Sequence, residues 1–501
     1  MTTMKKIYII AASLLVLLAA ACEKDDTTGA TNPVPQLSVT GLKDTFNVFT
    51  YQDFLKITPT VQNDSEFDYY WTMFTTEFIP GQGLVKADTI GRAKDLNYEV
   101  LKDPGQYILV FNAKHKQTGI LKQVNMIVNI TTLTMNGWYL VKDNAGKTDM
   151  DFFHKTGRID NWIANFNNGK SLEGNFVKAV FAPSFRASLT SATYYNALAV
   201  ATDKDMAIYR IDNGSMLMNF DNMFFTKPAT RKPQALLQPV ANQYLIAIND
   251  GKAYSLTKGA QFATMPTNFN NVVYNNISPV SAVGAMALCW SPVRKSMFCI
   301  DGATFVELKA SNGGNRLQNM NADLKWIAGY AGVRSAALAL FRNPQDTGYL
   351  LRLNVNFPSL YSGSGAIITL ADTLKPEHGL MHADVIGGNH DVDLIYYSIG
   401  DKIYLMDVAS TAESLQFTLP AGEAVTAIQH IRYPQPIGNP APAATQNYIA
   451  IATYKAGRYK VYLHPISGTG TISALPQANF EGEGRVSTVI YMEQGNGSRV
   501  F

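Results

Sequence analysis

Three cysteines in 501 residues are too few for a disulfide scaffold, so packing has to hold this chain together. Charge is scarce as well: Asp, Glu, Lys and Arg make up 16% of the residues and nearly cancel, leaving a formal +3. That balance offers no basic surface to nucleic acid. Apart from Ile7 to Leu18 there is no long apolar run, and that one falls short of the roughly 20 residues of a membrane-spanning helix. Motifs for common chemistries are missing too. There is no Gly-x-Ser-x-Gly elbow, no phosphate-binding Gly-Lys loop and no paired-metal signature, and the acids are too dispersed to nominate a glycosidase dyad. No cofactor is called for.

What is present begins with an address. Lys5 and Lys6 form a positive n-region, Ile7 to Leu18 a short apolar core, and Ala19-Ala20-Ala21 a small-residue cleavage site, so residues 1–21 are expected to be a signal peptide. Cys22 directly after the alanines resembles the lipobox of bacterial lipoproteins, in which the thiol is lipidated. Lys24-Asp25-Asp26 resembles the acidic export signal of Bacteroidetes lipoproteins, which implies an outer-membrane anchor facing the cell exterior. Removing both signal-peptide lysines leaves a mature chain of roughly +1. Residues 22–35 are polar, with Gly and Pro, and read as a flexible tether.

From Gln36 to Leu133 short alternating runs lie between turn residues, at Thr45 to Tyr51, Phe54 to Val61, Phe67 to Thr75, Gln106 to Ala113 and Ile120 to Ile130. That spacing predicts an immunoglobulin-like β-sandwich over 36–133. Trp71 in a central run and Pro104-Gly105-Gln106-Tyr107 ahead of another resemble the PKD-type domain, which implies a tryptophan between the sheets and a tyrosine fastening the corner.

Past Gly137 the pattern becomes a repeat of an apolar strand, a turn and an alternating strand. Copies start at Trp138, Ala197, Tyr244, Met297, Ala336, Leu394 and Tyr448, and nearly all are preceded by another apolar run. The period is that of propeller blades. The first copy lacks its preceding strand, whereas Val486 to Met492 is such a strand with no copy after it. Residues 134–501 are therefore expected to form a seven-bladed β-propeller closed by the C-terminal strand, in an all-β chain. An outer-membrane β-barrel fits worse, because the runs are short and often apolar on both faces.

Lipobox, acidic export signal, PKD-like sandwich and a propeller-like remainder opening with Gly137-Trp138-Tyr139-Leu140-Val141 are together similar to the PKD-like family of Bacteroidetes lipoproteins. The likeness runs over almost the whole mature chain and is most specific from Gln36 to Leu133. It implies an accessory surface subunit beside a SusC-like TonB-dependent transporter and its SusD-like lipoprotein, sometimes with another small surface lipoprotein, in uptake of an oligopeptide or glycan. It implies no catalytic residues. The alternatives are a free-standing surface glycan-binding protein and a propeller hydrolase or lyase whose groups come from separate blades.

The remaining polar groups give weaker candidates. Tyr194 and Tyr195 in a loop, and Arg432-Tyr433 opening a Pro-rich loop, suit ligand or partner contact. His378, His382, Asp384 and His390 lie close in sequence, with His382 and Asp384 expected on one strand face; a loop or channel wall explains them as well as a metal does. Asp143-Asn144-Ala145-Gly146, Asp250-Gly251, Asp301-Gly302 and Gly400-Asp401 read as hairpin turns rather than calcium loops. Cys289 and Cys299 flank a predicted turn at 292–295, a spacing that allows a cross-strand disulfide or two buried free thiols.

Overall fold

The computed structural model describes residues 38–75, 85–188, 193–239, 245–256, 261–265, 268–269, 272–273, 276–284, 286–300, 305–309, 317–330, 336–356, 367–389, 391–432 and 447–492. The signal segment, Cys22, Lys24, Asp25 and Asp26 lie outside them, as do His390, Tyr433 and Asp301-Gly302. The chain divides into two compact units: of the described residues, 38–48, 52–75 and 85–130 belong to the first, and 49–51 and those from 131 onward to the second.

The N-terminal unit is a β-sandwich. Its larger sheet orders the strands Thr45–Phe49, Leu121–Thr131, Gly105–His115, Phe67–Thr75 and Asp88–Gly91. Phe54–Ile57 pairs with Leu96–Glu99, and Val39–Thr40 with Thr60–Val61. Alternation sends Trp71, Met73, Leu109, Phe111 and Val128 into one core with Leu55 and Ile57 of the facing strand. Trp71 is fully buried, and its Nε1 donates to the carbonyls of Ala93 and Lys94, each at 3.0 Å, so the indole carries no unpaired donor into the core. Tyr107 Oη donates to Asp103 O at 2.9 Å, the corner bond of this class of sandwich.

The second unit is propeller-like. Its described strands include seven sheets with a path of four strands each, the first completed from the far end of the sequence; Leu172–Glu173 adds a fifth strand to that first sheet, and Asn268–Phe269 pairs with Val272–Val273 as a separate two-stranded sheet. Sheet 1 is Gly137–Asn144, Lys147–His154 and Gly157–Ile159, with Arg485–Met492 antiparallel to Gly137–Asn144 in the register Gly137↔Met492 to Asp143↔Arg485. Sheet 2 begins with Phe176–Phe185, sheet 3 with Pro233–Leu237, sheet 4 with Ala282–Val283, sheet 5 with Asp323–Tyr330, sheet 6 with Val385–Gly388 and sheet 7 with Ala424–Arg432. Tight turns join the second and third strands. Asp250-Gly251 and Ala456-Gly457 both take positive φ, the paired left-handed conformation that matches hairpin twist.

Both faces of each sheet are apolar because each is buried against a neighbour. Sheets 1 and 2 share a core through Tyr139, Phe152 and Tyr209, and the same sharing recurs from sheet 2 through sheet 7. A further core joins sheet 7 back to sheet 1, through Ala450, Tyr459 and Val461 against Leu140, Val486 and Val489. The first strands approach one another closely. A Cβ on Gly329 would collide with Val283 O, and one on Gly387 with Ile428 O, backbone that cannot swing aside. Gly387→Ala is therefore expected to cost about 1–3 kcal/mol by overpacking. A urea midpoint unchanged from the parent would refute that contact.

Two sequence expectations need correction, and one left open is decided. The fourth copy is out of phase: its second strand is Ala287–Ser291 and its third Ser296–Ile300, because the first strand is only Ala282–Val283 and the apolar run after it looked like the preceding strand. The apolar run ahead of the Leu394 copy, read as a strand from Leu380 to Ile386, becomes strand only at Val385, since Gly379–His382 is a 3-10 turn. Of the two readings left open for Cys289 and Cys299, the buried free thiols are the one found. The register pairs Leu288 with Cys299 and Cys289 with Phe298, so the offset of one residue puts the two side chains on opposite faces. Cys289 packs between sheets 3 and 4 and Cys299 between sheets 4 and 5.

Candidate functional site

Tyr194 and Tyr195 precede and open the second strand of sheet 2, Tyr195–Thr202. Arg432 ends the first strand of sheet 7 and pairs with Asn447. Both places lie where a first strand hands over to a second, so they belong to the same end of the sheets. Sheet 1 stands between them, and they are not brought into one site.

At sheet 2 the aromatic pair has two different environments. The guanidinium of Arg210 lies 4.1 Å from the Tyr195 ring centroid and is itself bound to Asp212 through Nε at 2.8 Å and through Nη2. Tyr195 is thereby held in place by a neutralised cation. Tyr194 remains 55% exposed, with Arg186 5.1 Å from its ring centroid. Of the two, Tyr194 is the ring able to stack on a ligand from solvent.

The His378 to Asp384 segment is bonded internally. His378 Nδ1 lies 3.0 Å from Lys375 N, which donates to it, and His382 Nε2 lies 2.7 Å from Pro376 O. Glu413 receives Gly379 N and Leu380 N at 2.8 and 2.9 Å, and Asp384 receives Gly400 N at 2.7 Å. His382 closes a 3-10 turn while Asp384 precedes the strand, so the expected shared strand face does not form. Among the described residues no group of three His, Cys, Asp or Glu is placed to hold a metal.

Asp143 belongs to the sheet framework. Its Oδ1 accepts from Thr148 Oγ1 at 2.9 Å and from Phe176 N of sheet 2 at 2.7 Å, and its Oδ2 accepts from Ser487 Oγ at 2.8 Å.

Sequence reasoning missed a buried ionic cluster at the junction of sheets 7 and 1. Asp151 is fully buried; its Oδ1 meets Lys142 Nζ at 2.7 Å and Asn161 N at 2.9 Å, and its Oδ2 accepts from Tyr459 Oη at 2.7 Å. Burial first, and then the Asp151 carboxylate, holds the Tyr459 hydroxyl well above its ordinary pKa. Arg158 bridges the same junction by donating to Glu481 O at 3.0 Å. The acid is saturated with donors and closed to solvent, which suits a latch and leaves no room for a substrate. The signal was an acid and a lysine inside otherwise apolar strands, Met150-Asp151-Phe152 and Leu140-Val141-Lys142.

His464 gives the unit an acid-sensitive point. It is 1% exposed, stacks on Phe417 at 4.9 Å and bonds through Nδ1 to Ser473 O at 2.7 Å, while Nε2 is buried without a partner among the described residues. Burial lowers its pKa from 6.5. The unfolded chain binds the proton that the folded chain refuses, so stability is present above pH 6.5 and is lost as pH falls toward the depressed value. His464→Gln is expected to flatten the change in urea midpoint between neutral and mildly acid pH. An unaltered slope would refute this assignment.

Residues 33–175 match the model of the PKD-like family, under a third of the chain, covering the sandwich and running into sheet 1. No curated protein matches the sequence. Among solved structures, the chain is similar to a quinonprotein alcohol dehydrogenase-like protein from Bacteroides thetaiotaomicron, at 12% identity and a TM-score of 0.40 over 90% of this chain and 97% of that one. It is also similar to the extracellular domain of a proposed one-component system from the same organism, at 9% identity and 0.36 over 88% and 58%. A third is PorZ, a surface component of the type-IX secretion system of Porphyromonas gingivalis, at 11% and 0.32 over 79% and 52%.

Proposed function

We propose that this protein is a lipid-anchored subunit on the outer face of the outer membrane, in which the seven sheets form a closed propeller that serves binding or assembly rather than catalysis. The observation that carries the reading is the order of parts: a lipidatable Cys22 followed by Lys24-Asp25-Asp26, a short tether, a stretch matching the PKD-like family, and a propeller-like unit. Support for a ring comes from the core that joins sheet 7 to sheet 1 and from the pairing of Arg485–Met492 with Gly137–Asn144. Acylation confines the propeller near the membrane and raises its local concentration there without a tight protein interface.

The partners are a SusC-like transporter and a SusD-like lipoprotein, and the cargo an oligopeptide or glycan that Tyr194 helps to seat. Affinity purification from detergent-solubilised outer membranes through a C-terminal tag is expected to recover both partners. Recovery of the chain alone would overturn the assembly reading, and retention on a polysaccharide column in that case would favour the free-standing glycan binder. Replacing Lys24, Asp25 and Asp26 with alanine should abolish cleavage by protease added to intact cells; unchanged cleavage would remove the export argument. Turnover of a peptide or polysaccharide by the purified chain would reverse the non-enzymatic reading.

A further inference from the structure

Sheet 2 sets an arginine against a tyrosine twice, and supplies a counter-charge only once. Arg210 lies against Tyr195 and is neutralised by Asp212, through Nε at 2.8 Å and through Nη2. Arg186 lies 5.1 Å from the centroid of the Tyr194 ring and has no such carboxylate; it makes no ion pair and no side-chain hydrogen bond among the described residues. The side chain is half-buried, and its Nε is shut away from solvent with no acceptor. A cation withdrawn from water in this way costs free energy that a bound anion would offset.

Register explains why the two pairs stay separate. The last paired residues of the first and second strands are Phe185 and Tyr195. One step outward, Arg186 and Tyr194 are cross-strand neighbours whose side chains point the same way, so a ligand approaching that face meets ring and guanidinium together. Phe185 and Ala197 pack toward sheet 3, and Ala197 pairs with Arg210. Tyr195 and Arg210 therefore share the sheet 3 face, and alternation turns Arg186 and Tyr194 to the other. Asp212 is thus committed to the wrong side for Arg186. Neither strand offers a substitute, because residues 176–202 contain no Asp or Glu.

Resting on the reading that Tyr194 seats cargo, we infer that Arg186 and Tyr194 bind an acidic glycan through a hexuronate, whose carboxylate is the counter-ion that Arg186 lacks. A guanidinium fork matches a carboxylate, and with Nε enclosed the two terminal nitrogens are left to hold it. The C–H face of a pyranose lies flat on an aromatic ring, and in a hexuronate the carboxylate stands one bond from the sugar ring. Such a ligand needs an aromatic and a cation side by side, and here they lie 5.1 Å apart. A peptide held in an apolar or aromatic-lined groove needs several exposed anchors. Between Phe176 and Arg210, Tyr194 is the one large apolar side chain that is exposed among the described residues.

The test titrates the full chain carrying Cys22→Ser by calorimetry at constant ionic strength. The probes are tetrasaccharides of galacturonate, glucuronate and mannuronate, each beside its methyl ester, and tetraglutamate. At least one uronate is expected to bind saturably and about tenfold or more tighter than its ester, a difference of at least ~1.4 kcal/mol. Arg186→Gln should bring acid and ester to equal affinity, and Arg186→Lys should restore part of the preference, because an ammonium keeps the charge without the planar fork. The acid-to-ester ratio is read within each variant, so a change in stability does not imitate it. Failure of all three uronates, binding of tetraglutamate in their place, or a preference that survives Arg186→Gln would overturn the inference. Tyr194→Ala distinguishes it from the reading beneath. Acid and ester that bind alike, both requiring Tyr194, would leave the ring seating a neutral glycan and remove the carboxylate site. Uronate binding that needs Arg186 and ignores Tyr194 would remove the seating role of the ring instead.

Discussion

A chain truncated after Gly484 is expected to lose the fold of its second unit. Arg485–Met492 buries Val486, Val489, Ile490 and Met492, each no more than 2% exposed, in the cores that sheet 1 shares with sheets 7 and 2. At about 1.5–3 kcal/mol for each buried side chain, their loss removes roughly 6–12 kcal/mol. The whole stability of a typical domain is about 5–15 kcal/mol. The deletion also bares the hydrogen-bonding edge of Gly137–Asn144, an invitation to pair with another chain. The truncated protein should aggregate or elute as oligomers in size-exclusion chromatography. A synthetic peptide of residues 485–492 supplied during refolding should restore the monomer. A soluble monomeric truncation with an unchanged melting curve would refute the role given to this strand.

The pairing of this C-terminal strand with Gly137–Asn144 was legible because the sequence offers one apolar strand too few at one end and one too many at the other. Most second-and-third-strand hairpins were legible for a related reason: Asp, Asn or Gly turns punctuate buried runs, as at Asp250-Gly251 and Gly400-Asp401. The fourth copy slipped because its hairpin turns through Pro292 to Lys295 without that punctuation, and because a two-residue first strand leaves no hydrophobic pattern to read. A single residue of register decides between the two readings of the cysteine pair. Sequence spacing permits Cys289 to oppose Cys299, and only the hairpin geometry decides that Phe298 does so instead.

Site residues were less legible than the fold. Tyr194 was visible as an aromatic in a loop, yet nothing local predicts that Arg210 would fix Tyr195 and leave Tyr194 free. The histidine-rich segment misled in the opposite direction. Its rings look like ligands in sequence and are occupied by backbone groups of their own turn.

The ionic latch carries the second large effect. Asp151→Ala is expected to destabilise the second unit by about 3–5 kcal/mol, the cost of leaving a buried charge without its partner. Lys142 has its side chain 5% exposed, so its ammonium has no water to turn to, and Tyr459 Oη loses its acceptor. Arg158, at 38% exposure and 3.8 Å from the acid, can resolvate and adds little. The triple change Lys142→Met, Asp151→Leu and Tyr459→Phe should recover most of the loss, because removing every member of a buried polar set leaves nothing unsatisfied. Denaturant unfolding of the single and triple variants measures both steps. A single variant within ~1 kcal/mol of the parent would show that water or another group reaches this junction, and the latch would then contribute little to joining sheet 7 to sheet 1.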